Sequence, residues 1–327
     1  MPWPPAGLTV HLGALFGRSH LRRRDRHPIV GPEVTRVTCC QQSDWTESMD
    51  DSSTVGAPAF VAEPVSPHVT RIRGPYDAHM YLVTGDERAL LIDTGYGVGD
   101  LAALVASLTD LPLTVVLTHG HVDHAFGASQ FPDVRMHPAD LPVLAEHRLK
   151  SRQVHADAAA THGHPVFLAP EVDPSRITPL HTGERLELGG LSVAVLAAPG
   201  HTPGSVALLV EEERVLITGD VANQFTFLFL PESSTVTDYL AALLDLNAST
   251  TGAYDRVLIS HGAGEIAPTV LEDLLALGRR VLAGTDDGVP FHFEDVDARI
   301  ARAVTPATDD GPPADDAPNL VYDPQRL

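Results

Sequence analysis

Residues 114 to 128 read TVVLTHGHVDHAFGA, an apolar run that ends in three histidines and an aspartate within six positions. In an extended segment, residues i and i+2 point to the same side. His119 and His121 can therefore face one ion together, with Gly120 between them permitting a close backbone path. Asp123 and His124 follow one residue later and can turn toward a second position. Neutral imidazoles suit zinc or iron, and a carboxylate adds a hard anionic ligand. A single histidine at a strand end is ordinarily a satisfied polar residue; the clustering is what points to metal chemistry.

Four donors in one loop do not complete two sites, so others must arrive from elsewhere. LAAPGHTPGS supplies His201, LITGD supplies Asp220 and LISHG supplies His261. Each lies just past an apolar run, which places it at the edge of a sheet, where open α/β sheets keep their active sites.

The elements that must carry these residues can be read in turn. HMYLVTGDERALLIDTG reads as two strands around a Gly-Asp turn, ending at Asp93. GDLAALVASL has helical spacing with Asp100 placed to cap it, and LTVVLTH is the next buried strand. Later come RVLITGD, a helix-like TDYLAALLDLNA with Thr237 as its expected cap, and RVLISHG. The two stretches echo each other, Asp93 and His119 corresponding to Asp220 and His261, as an internal duplication would produce. ERLELGGLSVAVLAAPGH reads as a hairpin on a Gly-Gly turn that delivers His201. Residues 138–170 form an insertion near the site, helical at ADLPVLAEHRLK and then polar; His147, His155, His162 and His164 are expected to be exposed loop residues. Thr118 and Thr202 read as turn or loop residues.

Composition bounds the rest. The 327 residues suffice for one large domain or two modest ones, and 43% are apolar. No apolar run approaches the ~20 residues of a membrane-spanning helix. The net charge of −21 disfavours a partner held by its phosphates, so nucleic acid is not an expected substrate. The two cysteines are the adjacent Cys39 and Cys40, which excludes a disulfide scaffold or a cysteine-rich zinc module. Residues 1–55 are expected to be a disordered extension. Their arginines follow the apolar stretch rather than precede it, the wrong order for a secretory signal. Met49 reads as a native initiator, and a cytoplasmic location is expected. Residues 56–285 are read as the catalytic domain, and 286–327 as an acidic, proline-rich segment ending in a short strand at LVY.

Taken together, the motifs resemble the metallo-β-lactamase superfamily. They are H-x-H-x-D-H at His119 to His124, APGHTPGS at His201, GD at Asp220, SHG at His261 and the early LLIDTG at Asp93. The resemblance covers roughly residues 65–285. It implies an α/β fold of four layers, an αββα sandwich, with a binuclear metal site at one edge. His119, His121 and His201 would hold the first metal, Asp123, His124 and His261 the second, and Asp220 would bridge them. Two divalent transition ions are implied, zinc foremost, with iron or manganese as alternatives. Two such ions about 3.5–4 Å apart acidify a bridging water and polarise the substrate. Asp123 and Asp220 are then the catalytic carboxylates. With seven positions filled, Asp93 is read as holding a metal histidine or the loop backbone by hydrogen bonds, against simple structural capping.

Within the superfamily, the bridging Asp220 argues against β-lactamase activity, and His121 against the flavodiiron pattern. Asn223 stands where acyl-homoserine lactonases usually have tyrosine. The ligand set resembles that of glyoxalase II-type thioesterases, although their basic glutathione-binding residues have no counterpart here. The expected activity is hydrolysis of an ester, thioester or lactone of a small molecule through a metal-bridging hydroxide. A mononuclear iron enzyme similar to the persulfide dioxygenases, or a non-catalytic metal-binding module, is the alternative. Phe225, Phe227 and Phe229 alternate just after Asp220 and read either as a core strand or as pocket wall. Tyr96 in DTGYG is expected to face the site. The sequence leaves the oligomeric state open.

Overall fold

The computed structural model describes residues 60–147, 167–293, 296–304 and 317–327. The expected N-terminal extension lies outside the described residues, as do His155, His162 and His164 of the insertion. A first sheet is built from β1 (Val61–Pro64), β2 (Val69–Arg73), β3 (His79–Thr84), β4 (Ala89–Ile92), β5 (Leu113–Val116), β6 (Val134–Met136) and β7 (Thr178–Pro179), paired in that order. A second runs β14-β13-β11-β10-β9-β8, from β8 (Arg185–Glu187), β9 (Ser192–Ala197), β10 (Val206–Val210), β11 (Val215–Ile217), β13 (Arg256–Leu258) and β14 (Glu265–Ile266).

The apolar runs are continuous because both faces of these strands are covered. In β4, Leu90 and Ile92 face the other sheet, while Ala89 and Leu91 face helices. In β10, Val206, Leu208 and Val210 fill the space between sheets, and Ala207 and Leu209 face outward to helices. Helices α1 (Leu101–Leu108), α2 (Val122–Ala125) and α3 (141–147) pack on the first sheet through Leu101, Val105, Val122 and Leu144. Helices α4 (Val236–Thr250) and α5 (Val270–Leu282) pack on the second through Leu243 and Leu274. The layers are helix, sheet, sheet, helix, the αββα order that the motifs implied.

The duplicated unit is present in both sheets. β4 and β5 are parallel across α1, and β11 and β13 are parallel across α4. Asp100 caps α1, accepting from the Ala103 N–H. The cap of α4 is Thr235 rather than Thr237. Its hydroxyl oxygen accepts from the Asp238 N–H and in turn donates to the Asp238 carboxylate, a reciprocal pairing that starts the helix two residues earlier. The Gly-Gly hairpin forms as expected, with Gly189 and Gly190 both at positive φ, as a two-residue turn of this hand requires.

The C-terminal segment differs from expectation. Among its described residues, 286–327 contributes three strands rather than one: the hairpin β15 (Val289–Phe293) and β16 (Val296–Ile300), and β17 (Asn319–Tyr322). They form a third sheet, in order β12-β17-β16-β15, with β12 (Phe225–Leu228) parallel to β17. Leu320 and Tyr322 join the core of α4 and α5, which ties this sheet to the sandwich. The proline- and aspartate-rich stretch through 305–316 lies outside the described residues.

Candidate metal centre

Asp93, Asp220 and His261 follow the C-terminal ends of β4, β11 and β13, and His119 to His124 follow β5. His201 sits on the connection between β9 and β10. His121 occupies the position before α2 with extended backbone, and the helical turn that follows sends Asp123 and His124 to a different side. Gly120 is needed because α3 starts against it. A Cβ there would lie 2.8 Å from the Asp140 carbonyl oxygen and 2.9 Å from the Leu144 nitrogen.

The structure brings all seven residues together in two groups, His119 with His121 and His201, and Asp123 with His124, Asp220 and His261. Within each group one donor atom per residue lies within 4.8 Å of every other. His121 Nδ1 is 3.0 Å from His201 Nε2. Asp220 spans the groups: its Oδ2 is 3.7 Å from His201 Nε2 and 3.6 Å from His124 Nε2, and its Oδ1 is 3.3 Å from His261 Nε2. Asp123 Oδ2 lies 3.4 Å from His261 Nε2 and 3.7 Å from His124 Nε2. The first group is buried, whereas Asp123, Asp220 and His261 are partly exposed, so the centre opens to solvent over them.

The outward nitrogens are all engaged. His124 Nδ1 donates to Asp93 Oδ2 at 2.9 Å, His201 Nδ1 to the Phe227 carbonyl at 2.9 Å, and His261 Nδ1 to the Asp77 carbonyl at 2.8 Å. His119 Nδ1 lies 3.1 Å from the Thr118 hydroxyl oxygen. The inward Nε2 atoms of His119 and His124 are buried with no hydrogen-bond partner among the described residues. Buried nitrogens are rarely left so. Imidazoles with the outer N–H engaged and an inner lone pair aimed at a shared point suit transition ions, so the donor set fits bound metal.

Electrostatics agree. Burial and the neighbouring imidazoles hold His119 well below the ordinary range, and burial takes His201 down to about 4. Burial opposes charge on the second group as well, but Asp123, Asp220 and Asp93 lift His124 well above its ordinary range, and Asp220 lifts His261 to about 10. The paired carboxylates demand positive charge in the centre, which dications would supply.

Sequence reasoning understated several residues. Asp93, at φ +62°, accepts from the Thr118 N–H and hydroxyl as well as from His124. Thr118 and Thr202 are loop residues as read, but buried ones that hydrogen-bond to Asp93 and Asp140. Asp140, unsuspected in HPADLP, is fully buried. It accepts from the Gly120 N–H at 2.7 Å, the Gly204 N–H at 2.6 Å and the Thr202 hydroxyl at 2.7 Å, tying the His119–His121 loop to the His201 loop. Asn223 donates its amide to Asp220 Oδ1 at 3.1 Å. His147, expected to be exposed, is 7% exposed and stacks on His121 with ring centroids 4.5 Å apart. It leaves the expected loop because α3 carries it inward.

Phe225 and Phe227 are half-buried in the third sheet, where Phe227 meets Phe229 with centroids 5.1 Å apart. The carbonyl of Phe227, not its ring, is what touches His201. Tyr96 packs into the core beside α1 and meets Tyr76 edge-on, next to the Asp77 loop that holds His261.

A family model described as the metallo-beta-lactamase superfamily matches residues 73–254, more than half the chain. The chain is 31% identical over 201 residues to the acyl-coenzyme A thioesterase MBLAC2 of Gallus gallus, covering 56% of this chain and 72% of that protein. It is 30% identical over 198 residues to the atrochrysone carboxyl ACP thioesterase dmxR1 of Cryptosporiopsis sp., covering 56% of this chain and 52% of that one. Among solved structures, the sec-alkyl sulfatase PisA1 double mutant aligns with a TM-score of 0.53 at 16% identity, covering 68% of this chain and 42% of that chain. The DIM-1 metallo-beta-lactamase aligns with a TM-score of 0.51 at 17% identity, covering 68% and 99%. At such identities these structures speak to the fold alone.

Proposed function

The chain belongs to the metallo-β-lactamase superfamily, and from that premise we propose that it is a metal-dependent hydrolase of small acyl thioesters working on a two-ion centre. The observation that carries the reading is the pair of donor groups joined by one carboxylate, Asp220. Similarity to two thioesterases favours a thioester over the ester or lactone that the same ligands would serve.

In this reading His119, His121 and His201 hold the first ion, Asp123, His124 and His261 hold the second, and Asp220 serves both. Bound there, divalent transition ions supply Lewis acidity and acidify water near neutral pH. The remaining work belongs to the chain. Asp93, the Phe227 carbonyl and the Asp77 carbonyl keep three imidazoles in the tautomer whose lone pair faces inward. Asn223 fixes the rotation of Asp220. Asp123, at the open side, is placed to accept a hydrogen bond from water and aim it at an incoming carbonyl. A thioester suits this cluster of acceptors: its leaving group departs as a thiolate, the anion of an acid far stronger than an alcohol, with little need for a proton donor.

The test is metal analysis of the purified protein alongside a panel of thioester, ester and lactone substrates. The expected result is about two transition ions per chain and thioester turnover that chelation removes and zinc restores. One tightly held iron with oxygen consumption on a persulfide, or no turnover across the panel, would overturn it.

A further inference from the structure

His121 is the one histidine of the centre whose inward nitrogen is Nδ1; the other four present Nε2 and anchor Nδ1 on nearby groups. Its outward Nε2 is held instead by Glu232 Oε1 at 2.7 Å, a partner 111 positions away in sequence. His147 stands beside it, its ring 18° from parallel with that of His121 and its Nε2 3.3 Å from the same carboxylate oxygen.

The loop that carries Glu232 is fastened on both sides. The Ser233 hydroxyl donates to the His201 carbonyl at 2.9 Å, and the Ser234 N–H to the Gly200 carbonyl at 2.8 Å. Arg326, near the C-terminus, donates to the Leu230 carbonyl at 2.7 Å and also to that of Ser233.

Resting on the two-ion reading above, we propose that Glu232 and His147 are positioning residues for the first ion. They lock His121 in the tautomer that carries its proton on Nε2 and offers a lone pair at Nδ1. A neutral imidazole has one N–H and one lone pair. A carboxylate oxygen at 2.7 Å calls for the N–H, which leaves Nδ1 as the donor to the ion. Stacking by His147 blocks rotation of the ring, and its own nitrogen steadies the carboxylate from a second side. His121, His147 and Glu232 also lie close enough to hold an ion themselves. A neutral His121 cannot serve that trio and the first ion at once, and the 2.7 Å contact is a hydrogen bond rather than the spacing of two ligands around an ion.

The experiment is a competition titration of the full-length chain with zinc against a chromophoric chelator, applied to the wild type and to Glu232→Gln, Glu232→Ala and His147→Phe. His201→Gln and His261→Gln serve to assign the two equivalents. The wild type is expected to bind two equivalents. In Glu232→Ala the equivalent that His201→Gln abolishes should weaken 10- to 100-fold, in Glu232→Gln, which keeps an acceptor oxygen, by less, and the one that His261→Gln abolishes should hold in both. His147→Phe keeps the stack but loses the nitrogen, so its effect should be smaller. Glu232→Gln retains the shape of the side chain and covers the case in which the alanine variant fails to fold.

Unchanged affinities in both Glu232 variants would overturn the positioning role. So would a third equivalent in the wild type that the Glu232 variants lose, because the trio would then be a cation site in its own right. Fewer than two equivalents in the wild type would overturn the two-ion reading instead, which keeps the two failures distinct.

Discussion

Replacing Asp140 by Asn is a sharp test of how the centre is held. Asp140 offers only acceptors, and three donors point at it: two backbone N–H groups and the Thr202 hydroxyl. An asparagine must turn its NH2 toward one side. If it replaces Oδ1, it opposes the Gly204 N–H; if Oδ2, it opposes both Gly120 and Thr202. The cheaper choice orphans one buried N–H, at about 1–3 kcal/mol. Some of that is returned, because burial disfavours the Asp140 charge and pushes its carboxyl up, and an amide avoids that cost. The expected net loss is about 1–2 kcal/mol, or a fall in Tm of roughly 1.5–3 °C for a chain of 327 residues. The same change uncouples the loop bearing His119 and His121 from the loop bearing His201. The first ion should therefore weaken roughly tenfold while the second is little changed. Urea unfolding of the metal-free protein and a chelator titration read the two effects separately. Thr202→Val, which removes one donor and leaves the carboxylate with two, should lose only about 1 kcal/mol. An Asp140→Asn protein with wild-type stability and wild-type affinity at both sites would refute the idea that this carboxylate couples the loops.

Other expectations follow from single contacts. Asp93→Ala leaves His124 Nδ1 and the Thr118 donors without their acceptor, and should weaken the second ion 10- to 100-fold in a metal titration while the first holds. Gly120→Ala drives a Cβ into the backbone of Asp140 and Leu144, and should cost about 1–3 kcal/mol by denaturant unfolding. His79, 3% exposed, is pushed down to about 3 by burial. The folded state therefore takes up its proton near pH 3 and the unfolded chain near 6.5. Stability should fall as pH drops through that window, by about 2 kcal/mol at pH 5, and an asparagine in its place should flatten the acid limb. With a net charge of −21, kcat/KM for a phosphate-bearing acyl-CoA should rise with salt as repulsion is screened. A neutral N-acetylcysteamine thioester should show no such slope, and equal salt responses would argue against a repelling field at the entrance.

Much of the centre was legible in the sequence because its chemistry is written locally. The donors between His119 and His124 declare themselves by spacing, and His201, Asp220 and His261 declare themselves by following apolar runs. The layered sandwich came from the resemblance those motifs carry, and the structure agrees with it in strands such as ALLI and VALLV, which are covered on both faces. What the sequence could not show is which side chain reaches which loop. Glu232 in LPESS, Asp140 in HPADLP and Asn223 in VANQ carry no periodicity and no distinctive neighbours. His147, at the end of a stretch that reads as helical, looked like one more exposed histidine, and Phe225 and Phe227 fitted a pocket wall as well as a strand. The roles of Asp140 and Glu232 follow from separations of 20 and 111 residues that only folding closes. The side chains that gather at the candidate centre are marked by residue type and by their place after apolar runs, whereas the groups that orient them are fixed by directional hydrogen bonds across the tertiary structure.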